Sequence, residues 1–334
     1  MKKVAINGFG RIGRLVFRIM EEDPTLEVVA INDLTSASQL AYLLKYDTSH
    51  RTYLENEITS GDDYIEVKGK KIKVYAEKDP AALPWKELEV DVVFECTGFF
   101  TSLEKSQAHI TAGAKKVVIS APAKGDLKTV VYGVNENVLD GSEEVISAAS
   151  CTTNCLAPTV HVLDQAFGVE KAFMTTIHAY TNDQTTLDVA HAKGENSRRG
   201  RAAAANIVPS STGAASAIGL VLPHLKGKLD GFALRVPTTT GSVVDLVLEL
   251  KKTTTVEEIN KAFENAQSDV FKITYDPIVS SDIIGSSYGA VVDGQLTNIL
   301  DVDGKQFIKV VAWYDNEFGY SAQMVKVAKY LLKV

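Results

Sequence analysis

The chain has 334 residues, 45% of them hydrophobic and 23% charged, a composition that fits a globular protein of about two domains and excludes a disordered or fibrous chain. Thirty-five basic against 42 acidic residues leave a net charge of −7, which argues against general nucleic-acid binding, and no dedicated nucleic-acid site is expected. Three cysteines, Cys96, Cys151 and Cys155, do not make a disulfide framework, no run reaches the roughly 18 apolar residues of a membrane span, and Met1-Lys2-Lys3 leads directly into a strand, so a cytoplasmic location without a membrane partner is expected.

The first segment, Val4 to Gly13, reads as a buried strand, a glycine turn and a helix start, with Gly8, Gly10 and Gly13 spaced G-x-G-x-x-G. A helix-period run from Arg11 to about Glu22 follows, then a second strand, Glu27 to Asp33, ending in an acid 20 residues past Gly13. In a βαβ dinucleotide site, backbone N–H groups at such glycines meet the pyrophosphate and such an acid accepts from the adenosine ribose hydroxyls; NAD is therefore expected in preference to NADP. Residues 46–80 hold short alternating runs, Tyr64–Val67 and Ile72–Tyr75, expected as small antiparallel strands inserted into the sheet order. Strands at Asp91–Thr97 and Lys116–Ser120, separated by a helix from about Ser102 to Ala112, continue a parallel sheet, with Ser120 and Thr97-Gly98 at the carboxyl ends where such sheets bind ligands. Cys96 reads as packing.

Val145–Ala148 is a further strand, and Ser150-Cys151-Thr152-Thr153-Asn154-Cys155 opens a helix. A cysteine at a helix N-terminus, among hydrogen-bonding neighbours, is a candidate nucleophile, since the helix dipole and first-turn N–H groups favour the thiolate. Beyond it the pattern changes to period two, at Phe173–Tyr180, Gly231–Val236 and Ser242–Leu250, as in half-buried antiparallel strands. Thr255 and Glu258 form a capping box ahead of Ile259, Ala262, Phe263 and Ala266. Met324, Val327, Ala328 and Leu331 lie at helical spacing in the terminal segment. Residues 181–206, with Arg198, Arg199 and Arg201, read as a long functional loop. The sequence thus predicts an α/β chain, a Rossmann-type parallel-sheet domain followed from near residue 150 by an α+β catalytic domain with a mixed or antiparallel sheet. No metal site is expected.

The strings I-N-G-F-G-R-I-G at 6–13, I-N-D-L at 31–34, S-C-T-T-N-C at 150–155, R-V-P-T at 235–238 and W-Y-D-N-E-F-G-Y at 313–320 resemble those of the phosphorylating glyceraldehyde-3-phosphate dehydrogenases, from end to end. The resemblance implies Cys151 as nucleophile, His178 as its base, and an NAD site lined by Arg11, Ile12, Asp33, Lys78, Ser120 and, on the nicotinamide side, Asn316. It further implies Thr181 and Arg235 for the substrate phosphate, and Ser150, Thr152, Thr212, Gly213 and Arg198 for inorganic phosphate. A C-terminal helix, 316–334, would join residues 1–149 in the cofactor domain, leaving 150–315 as the catalytic domain of a homotetramer.

The chemistry asks for the same residue types. A thiolate adds to an aldehyde, a base takes the hydroxyl proton as hydride leaves, and phosphate releases the resulting thioester, giving 1,3-bisphosphoglycerate from D-glyceraldehyde 3-phosphate; the imidazolium of His178 would lower the thiol pKa further. Arg235 is expected off the apolar side of its strand, opposite Phe232, Leu234 and Val236. An erythrose-4-phosphate or semialdehyde dehydrogenase on the same fold is the alternative, as is an added non-enzymatic binding role; Arg198 and Arg235 favour a phosphorylated aldehyde over a semialdehyde. Val189-Ala190, where strictly NAD-specific relatives carry Leu-Pro, bears on NADP use, but a carboxylate at Asp33 outweighs it, because like-charge juxtaposition costs more than loop repacking.

Overall fold

The computed structural model describes residues 1–194 and 196–333; Glu195, in the 181–206 loop, and Val334, at the end of the C-terminal segment, lie outside the described residues. The chain divides into two compact units, residues 1–150 with 321–334, and residues 151–320.

The first unit contains β1 (Lys2–Asn7), α1 (Arg11–Met20), β2 (Leu26–Asn32), α2 (Ala37–Lys45), β3 (Ile58–Ser60), β4 (Tyr64–Val67), β5 (Lys70–Tyr75), β6 (Val92–Glu95), α3 (Leu103–Thr111), β7 (Lys116–Ile119) and β8 (Val145–Ser147). Its sheet runs β3-β4-β5-β2-β1-β6-β7-β8. Strands β5, β2, β1, β6, β7 and β8 pair in parallel. The sequence suggested antiparallel strands inserted into the order; instead β3 and β4 extend one edge, and the Ile72–Tyr75 run falls in β5, which pairs antiparallel with β4 and parallel with β2. Val4, Ile6, Val92, Phe94 and Val118 supply the sheet's part of the core, and Met324, Val327, Ala328 and Leu331 of the terminal helix pack into the same cluster.

The glycine turn follows from close approaches. Gly8 has φ +91°, which side-chain-bearing residues rarely adopt, and a Cβ on Gly13 would stand 2.1 Å from the carbonyl oxygen of Gly8. Beneath the turn lies a buried polar chain. Trp85 Nε1 donates to His109 Nδ1 (3.0 Å), His109 Nε2 meets Glu95 Oε2 (3.1 Å), and Asn7 Nδ2 donates to the same oxygen (2.6 Å). Because His109 Nδ1 accepts, its proton sits on Nε2, and the imidazole is neutral.

The second unit contains α4 (Cys151–Phe167), β9 (Val169–Ala179), β10 (Val208–Ser211), α5 (Ala214–Val221), β11 (Leu229–Val236), β12 (Ser242–Leu250), α6 (Val256–Asn265), β13 (Phe271–Thr274), β14 (Ala290–Asp293), β15 (Asn298–Val302) and β16 (Lys305–Tyr314); α7 (Phe318–Leu331) carries the chain back to the first. Its sheet runs β10-β11-β9-β12-β16-β14-β13, with β15 on β16. It is mixed: β11 runs parallel to β9, and β12 antiparallel to it. The capping box at Thr255 and Glu258 starts α6. Trp313, on β16, donates to Asp293 at 3.2 Å.

Alternation along these strands divides the sheet into two faces. Thr176 and His178 of β9, Ala233 of β11, Ser242 and Val244 of β12, and Ala312 and Tyr314 of β16 are buried. On the other face Phe173, Phe232, Val247 and Phe307 are exposed, and Phe173, Val247 and Phe307 line a depression of about 410 Å³. Arg235 belongs to the buried face, in line with Ala233, whereas Phe232 points outward. This reverses the expectation for β11. The apolar Phe, Leu and Val positions are outward here, so apolar character alone misassigned the inner side.

Candidate active site

Cys151 is the first residue of α4, and His178 lies next to last on β9. Cys151 Sγ and His178 Nε2 are 3.4 Å apart. His178 Nδ1 donates to the carbonyl oxygen of Ala179 at 2.6 Å, so the proton of a neutral ring sits on Nδ1 and the lone pair of Nε2 meets the sulfur. Tyr314 braces the pair. Its ring stands edge-on to His178, with centroids 5.9 Å apart, and its hydroxyl lies 2.8 Å from those of both Thr152 and Thr176.

Arg235 is the cross-strand neighbour of His178. Its Nη1 donates to Ala179 O (3.2 Å) and to Thr181 Oγ1 (2.8 Å), while its buried Nε has no hydrogen-bond partner among the described residues. Thr181 in turn donates to Asp183, which also pairs with Arg199. Arg199 Nη2 donates to Ser211 O at 3.1 Å, beside Thr212 and Gly213 at the start of α5.

Burial and these charges together act on the pair. Burial, then Arg235, lowers the pKa of His178 from 6.5 to about 3, with Arg199 acting in the same direction. Burial raises that of the Cys151 thiol, and Arg235 and Thr152 pull it back only in part. Burial thus works against the thiolate expected at the helix terminus, while Arg235 and the first-turn N–H groups work toward it, and the lowered pKa of His178 favours the neutral imidazole as the base.

Arg198 and Arg199 face different surroundings. Arg198 is exposed, whereas Arg199 acts electrostatically on both His178 and Arg235. The loop's Arg-Arg dipeptide marked the region, but the side each arginine faces depends on the 3-10 turn over Arg198–Gly200, which has no periodic signature. Ser242 and Tyr314 were likewise not singled out, because one hydroxyl in a β-strand resembles any other until its partners are known. Ser150 immediately precedes α4 and is partly buried.

Two residues past Tyr314 and the end of β16, Asn316 is buried, and its Oδ1 accepts from Gly241 N (3.1 Å) and Ser242 Oγ (2.8 Å). In the first unit, Gly8, Gly10, Asp33, Leu34, Lys78 and Thr97 line a cleft of about 390 Å³. Asp33 is held there by the N–H groups of Phe9 (2.8 Å) and Thr35 (2.9 Å). Gly10 has open space where a Cβ would stand and gives α1 no side-chain cap. A glycine that fills nothing, at an uncapped helix start beside a fixed carboxylate, suits a diphosphate and a ribose. Cys96 also lines this cleft, its thiol raised by burial. The Arg11 guanidinium is paired with Asp47 at 2.5 Å and Ile12 packs on the core, and neither lines the cleft. Ser120 donates its N–H to Glu95 O at 2.9 Å. Among the described residues no helix is long and apolar enough to cross a membrane, and no acid, histidine or cysteine cluster forms a metal site.

The His178 shift makes stability pH-dependent. A group whose folded pKa lies below its unfolded one binds fewer protons when folded, so its contribution is complete above about 6.5 and is withdrawn as pH falls toward about 3. Between pH 7 and pH 5 the parent chain should lose about 2 kcal/mol more unfolding free energy than His178→Asn. Urea unfolding at both values measures this; parallel losses would place the titration elsewhere.

The model for the glyceraldehyde 3-phosphate dehydrogenase NAD binding domain matches residues 2–103, and that for the C-terminal domain matches residues 150–316. The glyceraldehyde-3-phosphate dehydrogenase of Clostridium pasteurianum is 60% identical over 334 residues, 100% of this chain and 99% of that protein. Those of Clostridium acetobutylicum and Streptococcus pyogenes are 59% and 54% identical, over 100% and 99% of this chain and 99% and 98% of theirs. The chain is an NAD-binding oxidoreductase and belongs to the glyceraldehyde-3-phosphate dehydrogenase family.

Proposed function

We propose that the chain oxidises D-glyceraldehyde 3-phosphate with NAD and inorganic phosphate, giving 1,3-bisphosphoglycerate through a thioester on Cys151. The observation that carries this reading is the Cys151–His178 pair at 3.4 Å, flanked by two inward arginines. The glycine turn and Asp33 hold the adenosine end of NAD, with Lys78 on the same cleft and Arg11, Ile12 and Ser120 contributing at its margin; Asn316 holds the nicotinamide carboxamide. When bound, NAD accepts the hydride from the substrate carbon.

His178 Nε2 takes the thiol proton as Cys151 Sγ bonds to the aldehyde carbon, and returns it to the new oxyanion. The same nitrogen removes that hydroxyl proton when the hydride departs, and the thioester forms. A neutral imidazole with its Nδ1 proton fixed by Ala179 suits both transfers. Phosphate oxygen then attacks the thioester carbon, the C–S bond breaks, and the acyl phosphate leaves. Arg235 and Thr181 hold the substrate phosphate. Thr212, Gly213, Ser150 and Thr152, with Arg199 in place of the exposed Arg198, hold the attacking phosphate.

We also infer a cytoplasmic homotetramer. The exposed Phe173, Phe232, Val247 and Phe307 put a row of large apolar groups on one sheet face, which a second copy would cover. Sedimentation at the mass of a single chain would contradict it.

Cys151→Ser should abolish phosphate-dependent NADH formation while leaving NAD affinity within about twofold, because an unactivated hydroxyl is a poor nucleophile. Retained turnover in that variant would refute the thioester route. Arg199→Leu should raise the KM for inorganic phosphate about a hundredfold, the order expected for a lost charge-assisted contact, and Arg198→Leu by no more than about threefold. The reverse ranking would restore Arg198 to the phosphate site.

A further inference from the structure

Ser242 begins β12 and is 1% exposed. Its single hydroxyl does two things. It accepts the N–H of Ala179 at 3.1 Å and donates to Asn316 Oδ1 at 2.8 Å. Ala179 is the residue whose carbonyl fixes the ring of His178. One side chain therefore ties the strand that carries the base to the amide assigned to the nicotinamide.

The amide is held in one sense only. Gly241 N–H can only donate, so the atom of Asn316 that faces it at 3.1 Å is the oxygen. The Ser242 hydroxyl takes the second lone pair at 2.8 Å, and Thr240 Oγ1, which donates to Asp315 at 2.9 Å, stands farther from the same oxygen at 3.4 Å. Asn316 Nδ2, in a side chain 4% exposed, has no hydrogen-bond partner among the described residues. An amide whose oxygen is held inward, and whose N–H groups are left to the accessible side, is set to donate to a ligand carbonyl.

We propose that Ser242 is a positioning residue for hydride transfer: by locking the Asn316 carboxamide oxygen inward and anchoring the Ala179 peptide, it sets the orientation of the nicotinamide carboxamide relative to His178. This rests on the assignment of Asn316 to the nicotinamide. A hydroxyl that only stabilised the sheet would affect every ligand alike. One that acts through Asn316 distinguishes ligands that have a nicotinamide from those that lack it.

The test is titration of the full-length protein with NAD and with ADP-ribose, which lacks the nicotinamide. Ser242→Ala should weaken NAD about tenfold, the size expected for one buried hydrogen bond, and lower kcat by a similar factor, with ADP-ribose changed by less than about twofold. In an Asn316→Ala background the same substitution should change NAD affinity by less than about twofold, since the partner through which it acts is gone. Ser242→Cys keeps the side chain's volume with only a weak donor, and should show the same selective loss at smaller size, which serves if the alanine variant does not fold. Equal weakening of NAD and ADP-ribose, or full additivity with Asn316→Ala, would overturn the proposal. If Asn316→Ala alone leaves NAD affinity unchanged, the nicotinamide assignment itself fails, and Ser242 loses its role with it.

Discussion

The hydrogen bond from His178 Nδ1 to the carbonyl of the next residue, Ala179, is the constraint on which the rest of the site depends. It decides which ring nitrogen is a base, and it ties that choice to the backbone rather than to a carboxylate partner. The Ala179 peptide is itself fixed at both ends, its oxygen shared with Arg235 and its N–H held by Ser242. Cys151 needs only to begin α4 opposite this peptide for its sulfur to meet a lone pair. The site is thus a property of strand register. Pairing of His178 with Arg235, and of Ser242 with Tyr314, puts base, cation, hydroxyl and aromatic brace on one face of one sheet.

The electrostatic character of that face follows from the same register. Arg235 and Arg199 disfavour a positive imidazole, and Arg235 favours a negative sulfur. A site built this way keeps its base unprotonated and ready to take a proton. Asp183, shared by Thr181 and Arg199, offsets part of the positive charge at the rim. Two arginines near one buried histidine are costly unless something anionic visits, which is consistent with substrates that carry phosphate.

Much of the architecture was legible because it rests on short-range physics. The G-x-G-x-x-G turn declared its conformation, since Gly8 must have a positive φ and Gly13 must have no Cβ. Thr255 and Glu258 announced the start of α6 by their spacing alone. What the sequence concealed depends on partners distant along the chain. The inward side of β11 was misread because Phe232, Leu234 and Val236 look like a core stripe, yet the sheet turns Phe232 to the outside. The position of β3 and β4 at an edge is decided by which strand β5 pairs with. Arg199 could not be told apart from Arg198 because a single 3-10 turn separates their directions. The opposing pull on the Cys151 thiol was out of view because helix position can be read from sequence, and burial cannot.

The chain's two tryptophans fall one in each unit. Trp85 is fully buried and its indole N–H is bound to His109, at the foot of the polar chain beneath the glycine turn. Trp313 is partly buried, with its indole N–H on the carboxylate of Asp293. Each unit therefore carries its own fluorophore in a chemically distinct setting, one against a neutral imidazole and the other against an acid. Replacing either with phenylalanine leaves a chain whose emission reports on one unit alone. The order in which the two units lose their structure is then open to direct optical measurement, without any label.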